Sequence, residues 1–304
     1  MPPSLRKFVR LVPDVARALA EQRPVVALES SVLAQGLPIP ANREAAERMD
    51  AAVRSHAAIP GITAVVRGTP TVGLEADELE RFLKRDGIRK VSARDIPIAM
   101  ASKVDGATTV AASIALAALG GVIVFSTGGI GGVHRGAPLD ESADLLELSR
   151  TPLICVCAGA KSILDLPATW ERLETLGIPV VGYRTDELPG FFTASTGIRL
   201  TASADGAAEI AAMFRAHVAM GRQQALLVVN PPPPEHALGR AEVEAAVKQA
   251  LGDATRAGIG GAALTPFLLE AVMKSTAGSS LPANLALLES NANVAAEVAA
   301  AVCT

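Results

Sequence analysis

Six short apolar runs, most of them rich in Val or Ile and each leading into a longer helical pattern, constrain this chain more than any other feature. The runs are Val25–Leu28, Thr63–Val66, Val122–Phe125, Leu153–Val156, Val180–Tyr183 and Leu226–Val229. Helical patterns cover Asn42–His56, Ala76–Arg85, Thr108–Leu119, Ala143–Leu148, Ala168–Leu176, Ala207–Met220, Arg240–Ala257 and Leu285–Ala301. Asp77, Glu78 and Asp205 stand near helix starts, where a negative charge complements the dipole, and Gly177 suits a C-cap. Such alternation predicts an α/β fold with a largely parallel or mixed central sheet covered on both faces. Pro231–Pro234 is a stiff connector, but helical patterning resumes directly after it, so residues 1–304 are expected to form one domain.

Composition narrows the function. Half the residues are apolar but only 3% are aromatic, so the core is expected to be built from Ala, Val, Leu and Ile. A net charge of -3 and few aromatic rings leave no footprint for nucleic acid, and any nucleotide handled here is a free small molecule. Cys155 and Cys157 would point the same way on a strand as small core residues, and with Cys303 they make neither a disulfide framework nor a zinc pair. A reducing cytoplasm is the expected location, since the first residues lack the apolar segment of a signal peptide. Ala107–Val133 carries no charge and is long enough to span a bilayer. Gly120-Gly121 divides it, however, so a buried helix followed by a buried strand is expected, and no membrane.

In open α/β sheets, ligands bind beyond the carboxyl ends of the strands. Glu29 follows the first run: it is either an exposed loop carboxylate or a partly desolvated acid able to donate a proton near neutral pH. Lys161 sits where the fourth run turns through Gly159 into a helix. A lysine there is solvated, binds an anion, or, among apolar neighbours, loses its proton and attacks a carbonyl. The run Gly128-Gly129-Ile130-Gly131-Gly132 fits neither a dinucleotide fingerprint nor a Walker loop. Its glycines either allow close backbone approach to a ligand or make a tight turn. Gly106-Ala107-Thr108-Thr109-Val110 is read as a helix start, where free amides and the Thr109 hydroxyl offer an anion site or ordinary capping. Asp140 and Asp144, four apart, would share one helix face, either complementing the dipole or holding Mn²⁺ or Mg²⁺. For His134, a loop hydrogen bond is expected ahead of metal ligation.

Several of these segments together match a known pattern. Val26-Ala27-Leu28-Glu29-Ser30, Lys90–Asp95, Gly106–Ala111, Thr127–Gly136, Ser142–Leu145, Cys157–Asp165 and Thr265–Leu269 resemble, in order, the pseudouridine-5'-phosphate glycosidase family, also called pseudouridylate synthase or indigoidine synthase A-like. The resemblance runs from about Val15 to Ala301. It implies a three-layer α/β/α architecture, a homotrimer and Mn²⁺. It implies Lys161 as nucleophile, Glu29 as proton donor, Asp140 as metal ligand, and Lys90, Val110, Ser142, Ala143 and Asp144 as substrate contacts, to which Thr109 is added from the anion-site reading. Two departures bear on loop contacts: Gln35 precedes Gly36-Leu37-Pro38 where the family often has histidine, and Ala194 stands where arginine is usual.

The implied reaction is reversible cleavage of the carbon–carbon bond between uracil and ribose 5-phosphate, catabolic in direction and classed as a lyase. A C-glycoside has no glycosidic oxygen or nitrogen to protonate, so the paired-carboxylate route fits poorly, whereas an amine can form a Schiff base at C1'. The alternatives are a Schiff-base aldolase or isomerase on another sugar phosphate, and a sugar-phosphate sensor without turnover.

Overall fold

The computed structural model describes residues 8–136, 140–259, 264–275 and 278–304. Its strands are β1 (Arg10–Leu11), β2 (Val25–Leu28), β3 (Ile59–Val66), β4 (Thr69–Val72), β5 (Arg89–Val91), β6 (Gly106–Thr108), β7 (Val124–Ser126), β8 (Ile154–Cys157), β9 (Val180–Tyr183), β10 (Ser203–Ala204) and β11 (Leu226–Val229). Its α-helices are α1 (Pro13–Ala20), α2 (Ala41–Ser55), α3 (Ala76–Lys84), α4 (Ile96–Ala101), α5 (Val110–Gly120), α6 (Ala143–Leu148), α7 (Leu166–Thr175), α8 (Ala207–Ala219), α9 (Arg240–Arg256), α10 (Leu264–Ser275) and α11 (Ser280–Cys303).

Strands β3-β2-β7-β8-β11-β9-β10 lie side by side and run parallel. Parallel neighbours need crossover connections, which the intervening helices supply. Because both faces are covered, β2, β8, β9 and β11 are buried at every residue, which is why they read as unbroken apolar runs. β3 is the exception. Ile59–Ile62 pair with β2, while its far half turns away to pair antiparallel with β4 and β6. β1 lies beside β4 and β5 beside β6, both parallel. Arg67 and Gly68, both at positive φ, make the two-residue turn between β3 and β4.

This is a three-layer α/β/α fold with a largely parallel sheet. α11 lies against β2, β7 and β8 with α2 and α8 alongside, and α5 packs on β3, β4 and β7 with α6. Small residues such as Ala292, Ala295 and Ala299 line the buried side of α11. α11 is also the one described helix long and apolar enough to cross a membrane, yet most of its apolar window is buried inside the molecule.

Several sequence expectations need correction. Gly106–Thr108, read as a helix start, is the strand β6, and α5 begins only at Val110. β3 starts four residues before the expected Thr63. Strands β1, β4, β5, β6 and β10 and helices α1, α4 and α10 were not anticipated, because they are short or polar, or match no clear apolar period. Beyond β6, the stretch to residue 133 does hold a buried helix, α5, followed by a buried strand, β7.

Candidate active site

The loops that leave β2, β7 and β8 meet at the carboxyl end of the sheet, where Lys90 from β5 also reaches them. They enclose a cleft of two lobes, about 70 Å³ and about 140 Å³. Glu29, Ser31, Lys90 and Lys161 line both lobes and so mark the waist between them.

Glu29 is 6% exposed, which removes the reading of it as a loop carboxylate in water. One oxygen accepts from the Thr127 hydroxyl at 2.6 Å and the other from the Ser31 hydroxyl. A buried carboxylate needs such donors, and here they fix its orientation. Lys161 is delivered by a turn in which Gly159 adopts φ +85°. A Cβ at Gly159 would lie 2.2 Å from the Pro189 carbonyl oxygen, so only glycine fits there. The Lys161 amide donates to the Ile130 carbonyl at 3.0 Å, tying its turn to the glycine run. Its half-buried side chain makes no hydrogen bond or ion pair among the described residues, which leaves Nζ available for chemistry. Lys90 is exposed as a whole residue, but it lines both lobes of the cleft. Burial, and then the neighbouring Lys161, lower its pKa below the ordinary lysine value, while Glu29 and Asp144 oppose that shift.

The polar lobe gathers all six anticipated substrate contacts: Lys90, Thr109, Val110, Ser142, Ala143 and Asp144. Thr109 stands at the N-cap of α5, but its buried hydroxyl has no hydrogen-bond partner, so the capping explanation for it fails. Asp144 is buried, with both oxygens occupied by backbone amides: Ala111 N at 2.9 Å and Gly131 N at 2.8 Å. Its side chain therefore clamps the start of α5 to the glycine run. The Ser142 hydroxyl caps α6 by accepting from the Asp144 amide.

Asp140 and Asp144 do not share a helix face. α6 starts only at Ala143, because Ser142 takes the N-cap, and Asp140 remains in the preceding loop. Asp140 is exposed, with its carboxylate 3.4 Å from His134 Nδ1. The same His134 nitrogen lies 3.1 Å from the Asp140 carbonyl oxygen, a loop contact of the expected kind. Among the described residues no group of three or more His, Cys, Asp or Glu side chains is placed to hold an ion. A hard divalent ion at Asp140 would therefore have to keep most of its waters, since no protein cage surrounds it among the described residues.

The glycine run serves both close packing and the cleft, since Gly128, Gly129 and Gly131 also line its lobes. A Cβ at Gly129 would meet Phe191 at 2.5 Å, one at Gly131 would meet Ser142 at 2.2 Å, and one at Gly132 would meet Thr169 at 2.4 Å. The smaller lobe is lined by Val32, Gln35, Thr127, Phe191 and Asn284 beside Gly128 and Gly129. Phe191, Thr127 and Asn284 were not among the expected site residues. One signal was present: Asn284 and Asn291 interrupt an otherwise Ala- and Leu-rich helix, and buried amides there imply specific partners. Asn291, fully buried, donates to the carbonyls of Thr127 (2.9 Å) and Gly128 (3.3 Å) and accepts from Asn230 (3.0 Å). Thr265–Leu269 lies in α10, only part of whose side chains are among those described.

Comparison with known proteins gives a consistent picture. Residues 14–301 match the model of the indigoidine synthase A like protein family. A pseudouridine-5'-phosphate glycosidase from Gemmatimonas aurantiaca is 63% identical over 96% of both chains. One from Staphylococcus aureus is 44% identical over 98% of both. Among solved structures, the prealnumycin C-glycosynthase AlnA, in complex with ribulose 5-phosphate, superposes with a TM-score of 0.91 at 40% identity, covering 98% of this chain and 97% of that one.

Proposed function

Because this chain belongs to the indigoidine synthase A-like protein family, we propose that it cleaves and forms the C-glycosidic bond of pseudouridine 5'-phosphate. With water, the products are uracil and ribose 5-phosphate. The observation that carries this reading is the placement of Lys161 and Glu29 at the waist of the cleft, between an apolar lobe and a polar one. The apolar lobe suits a flat base against Phe191 and the glycine backbone. The polar lobe suits a sugar phosphate, with Lys90, the Thr109 hydroxyl and the Val110 amide at the start of α5 facing the anion. The bond to be broken then falls beside Nζ.

In the cleavage direction, Nζ attacks C1' in its neutral form and displaces the ring oxygen, which takes a proton from Glu29. Glu29 recovers a proton from the new C1'–N ammonium. It then delivers that proton to C5 of the base. As the nitrogen lone pair forms the iminium, the C1'–C5 bond pair restores the C5–C6 double bond and uracil departs. Water hydrolyses the iminium to ribose 5-phosphate, returning Lys161 as the amine and a proton to Glu29. Charge and protons balance at each step, and the same steps in reverse make the bond. A Mn²⁺ ion held by Asp140 and water would supply positive charge beside the polar lobe.

The test is reductive trapping. Borohydride with ribose 5-phosphate should add one reduced sugar phosphate to Lys161, located by peptide mass analysis. Lys161→Ala should abolish both the adduct and the change in uracil absorbance on mixing uracil with ribose 5-phosphate. Full turnover by that variant would sink the nucleophile role. Trapping without any uracil-dependent change would favour an aldolase or isomerase on another sugar phosphate. For the metal, Asp140→Asn should lose Mn²⁺ binding followed by water-proton relaxation; unchanged binding would place the ion elsewhere.

A further inference from the structure

Behind the turn that carries Lys161 lies a second cavity, of about 400 Å³, that shares no residue of the catalytic waist. Successive side chains of the turn face different ways: Lys161 lines the cleft and Ser162 lines this cavity. Ser162 is 2% exposed, and its hydroxyl has no hydrogen-bond partner. A buried hydroxyl left unpaired costs about 1–3 kcal/mol, which a ligand could recover. Thr193 lines the same cavity, is also buried, and makes no side-chain hydrogen bond among the described residues.

Two arginines and two carboxylates line the cavity, and they differ in how they are partnered. Arg135 grips Glu244 through two hydrogen bonds, at 2.9 and 3.0 Å, so that pair is satisfied internally. Asp165 spends an oxygen on the Ala168 amide as the N-cap of α7. Arg240, exposed at the rim, makes no ion pair within 4 Å among the described residues, although its charge reaches Glu244 four residues on. Arg240 is the first of the 17 residues of α9, whose N-cap, Gly239, has no side chain to cap the first amides. A helix start alone would not make a site, because water can satisfy its amides. Here it coincides with a guanidinium that makes no hydrogen-bonded ion pair, with the buried, unpaired Ser162 hydroxyl and with the Thr193 hydroxyl beside it. Leu166 and Ile198 supply an apolar wall for the remainder of a ligand.

We propose that this cavity binds a small organic anion, either a phosphate monoester or a carboxylate, with its charged head at Arg240 and the hydroxyls of Ser162 and Thr193. The site is separate from the cleft, and its existence does not depend on the reaction proposed above.

Thermal unfolding read by the fluorescence of the single tryptophan tests it, with inorganic phosphate and citrate titrated separately. The natural chain should gain about 2–4 °C at saturation with one of the two. Phosphate that also enters the cleft raises every variant alike, so the difference between proteins reports this cavity alone. Arg240→Ala and Thr193→Val should each lose at least half of the gain while keeping their turnover within about twofold, since neither residue lines the cleft. A larger response to phosphate identifies a phosphate ester as the ligand class, and a larger response to citrate a carboxylate. Equal gains in the natural chain and both variants, or no gain with either anion, would overturn the proposal.

Discussion

Gly159 shows how far the cleft depends on single positions. Its φ of +85° and the Pro189 oxygen 2.2 Å from a would-be Cβ mean that even alanine must push the turn aside. Gly159→Ala should cost about 2–4 kcal/mol in urea unfolding and lower turnover more than affinity, because Lys161 lies two residues on. Thr127 is a second such position. Thr127→Val removes the 2.6 Å hydrogen bond to buried Glu29, and a bond of that charged kind is worth about 1.5–3 kcal/mol. Its turnover should fall roughly tenfold or more with substrate affinity little changed, since the loss falls on proton transfer. If affinity fell instead, Glu29 would be a binding group. At this scale the sequence was partly legible. Glu29 and Lys161 stand out as polar residues ending apolar strands, whereas the role of Asp144 as a backbone clamp did not show. Its partners, Ala111 and Gly131, are 33 and 13 residues away.

Elements are tied together by a few buried polar bonds, and one of them can be read optically. Tyr183, the single tyrosine, ends β9 and donates to Glu297 of α11 at 2.7 Å. Burial, and then the bond to Glu297, push its pKa from the ordinary 10 to about 12. A phenol with a raised folded pKa stabilises the fold fully below the unfolded value, and that contribution is lost as pH climbs from 10 through about 12. Tyrosinate absorbance should therefore titrate near pH 12, and the unfolding midpoint should fall through the same window. Tyr183→Phe should lack that component of the fall; an identical decline in the variant would count against the linkage. The strong elements β2, β8, β9 and β11 were readable because a doubly covered strand must be apolar throughout. β5 and β6 were not, since these three-residue segments become strands only when β6 pairs with the far half of β3 and β5 pairs with β6.

At the scale of the whole molecule, the resemblance to the family extends to a homotrimer, for which light scattering should return three times the 31.1 kDa chain mass. A monomer mass would remove that expectation without touching the cleft. The alternation of apolar runs and helical periods determined the fold class. The ordered motifs indicated which residues to examine. These are properties of neighbours within a few positions, where periodicity, capping and turn chemistry act. The tertiary structure alone decided that the cleft has two lobes, that Lys161 and Glu29 share its waist, and that Asp140 lies off the helix that holds Asp144. Those facts rest on bonds spanning 98 residues between Thr127 and Glu29 and 164 between Asn291 and Thr127. No local period encodes such a bond. It forms only once burial has brought the strand ends together and left their polar groups no other partner.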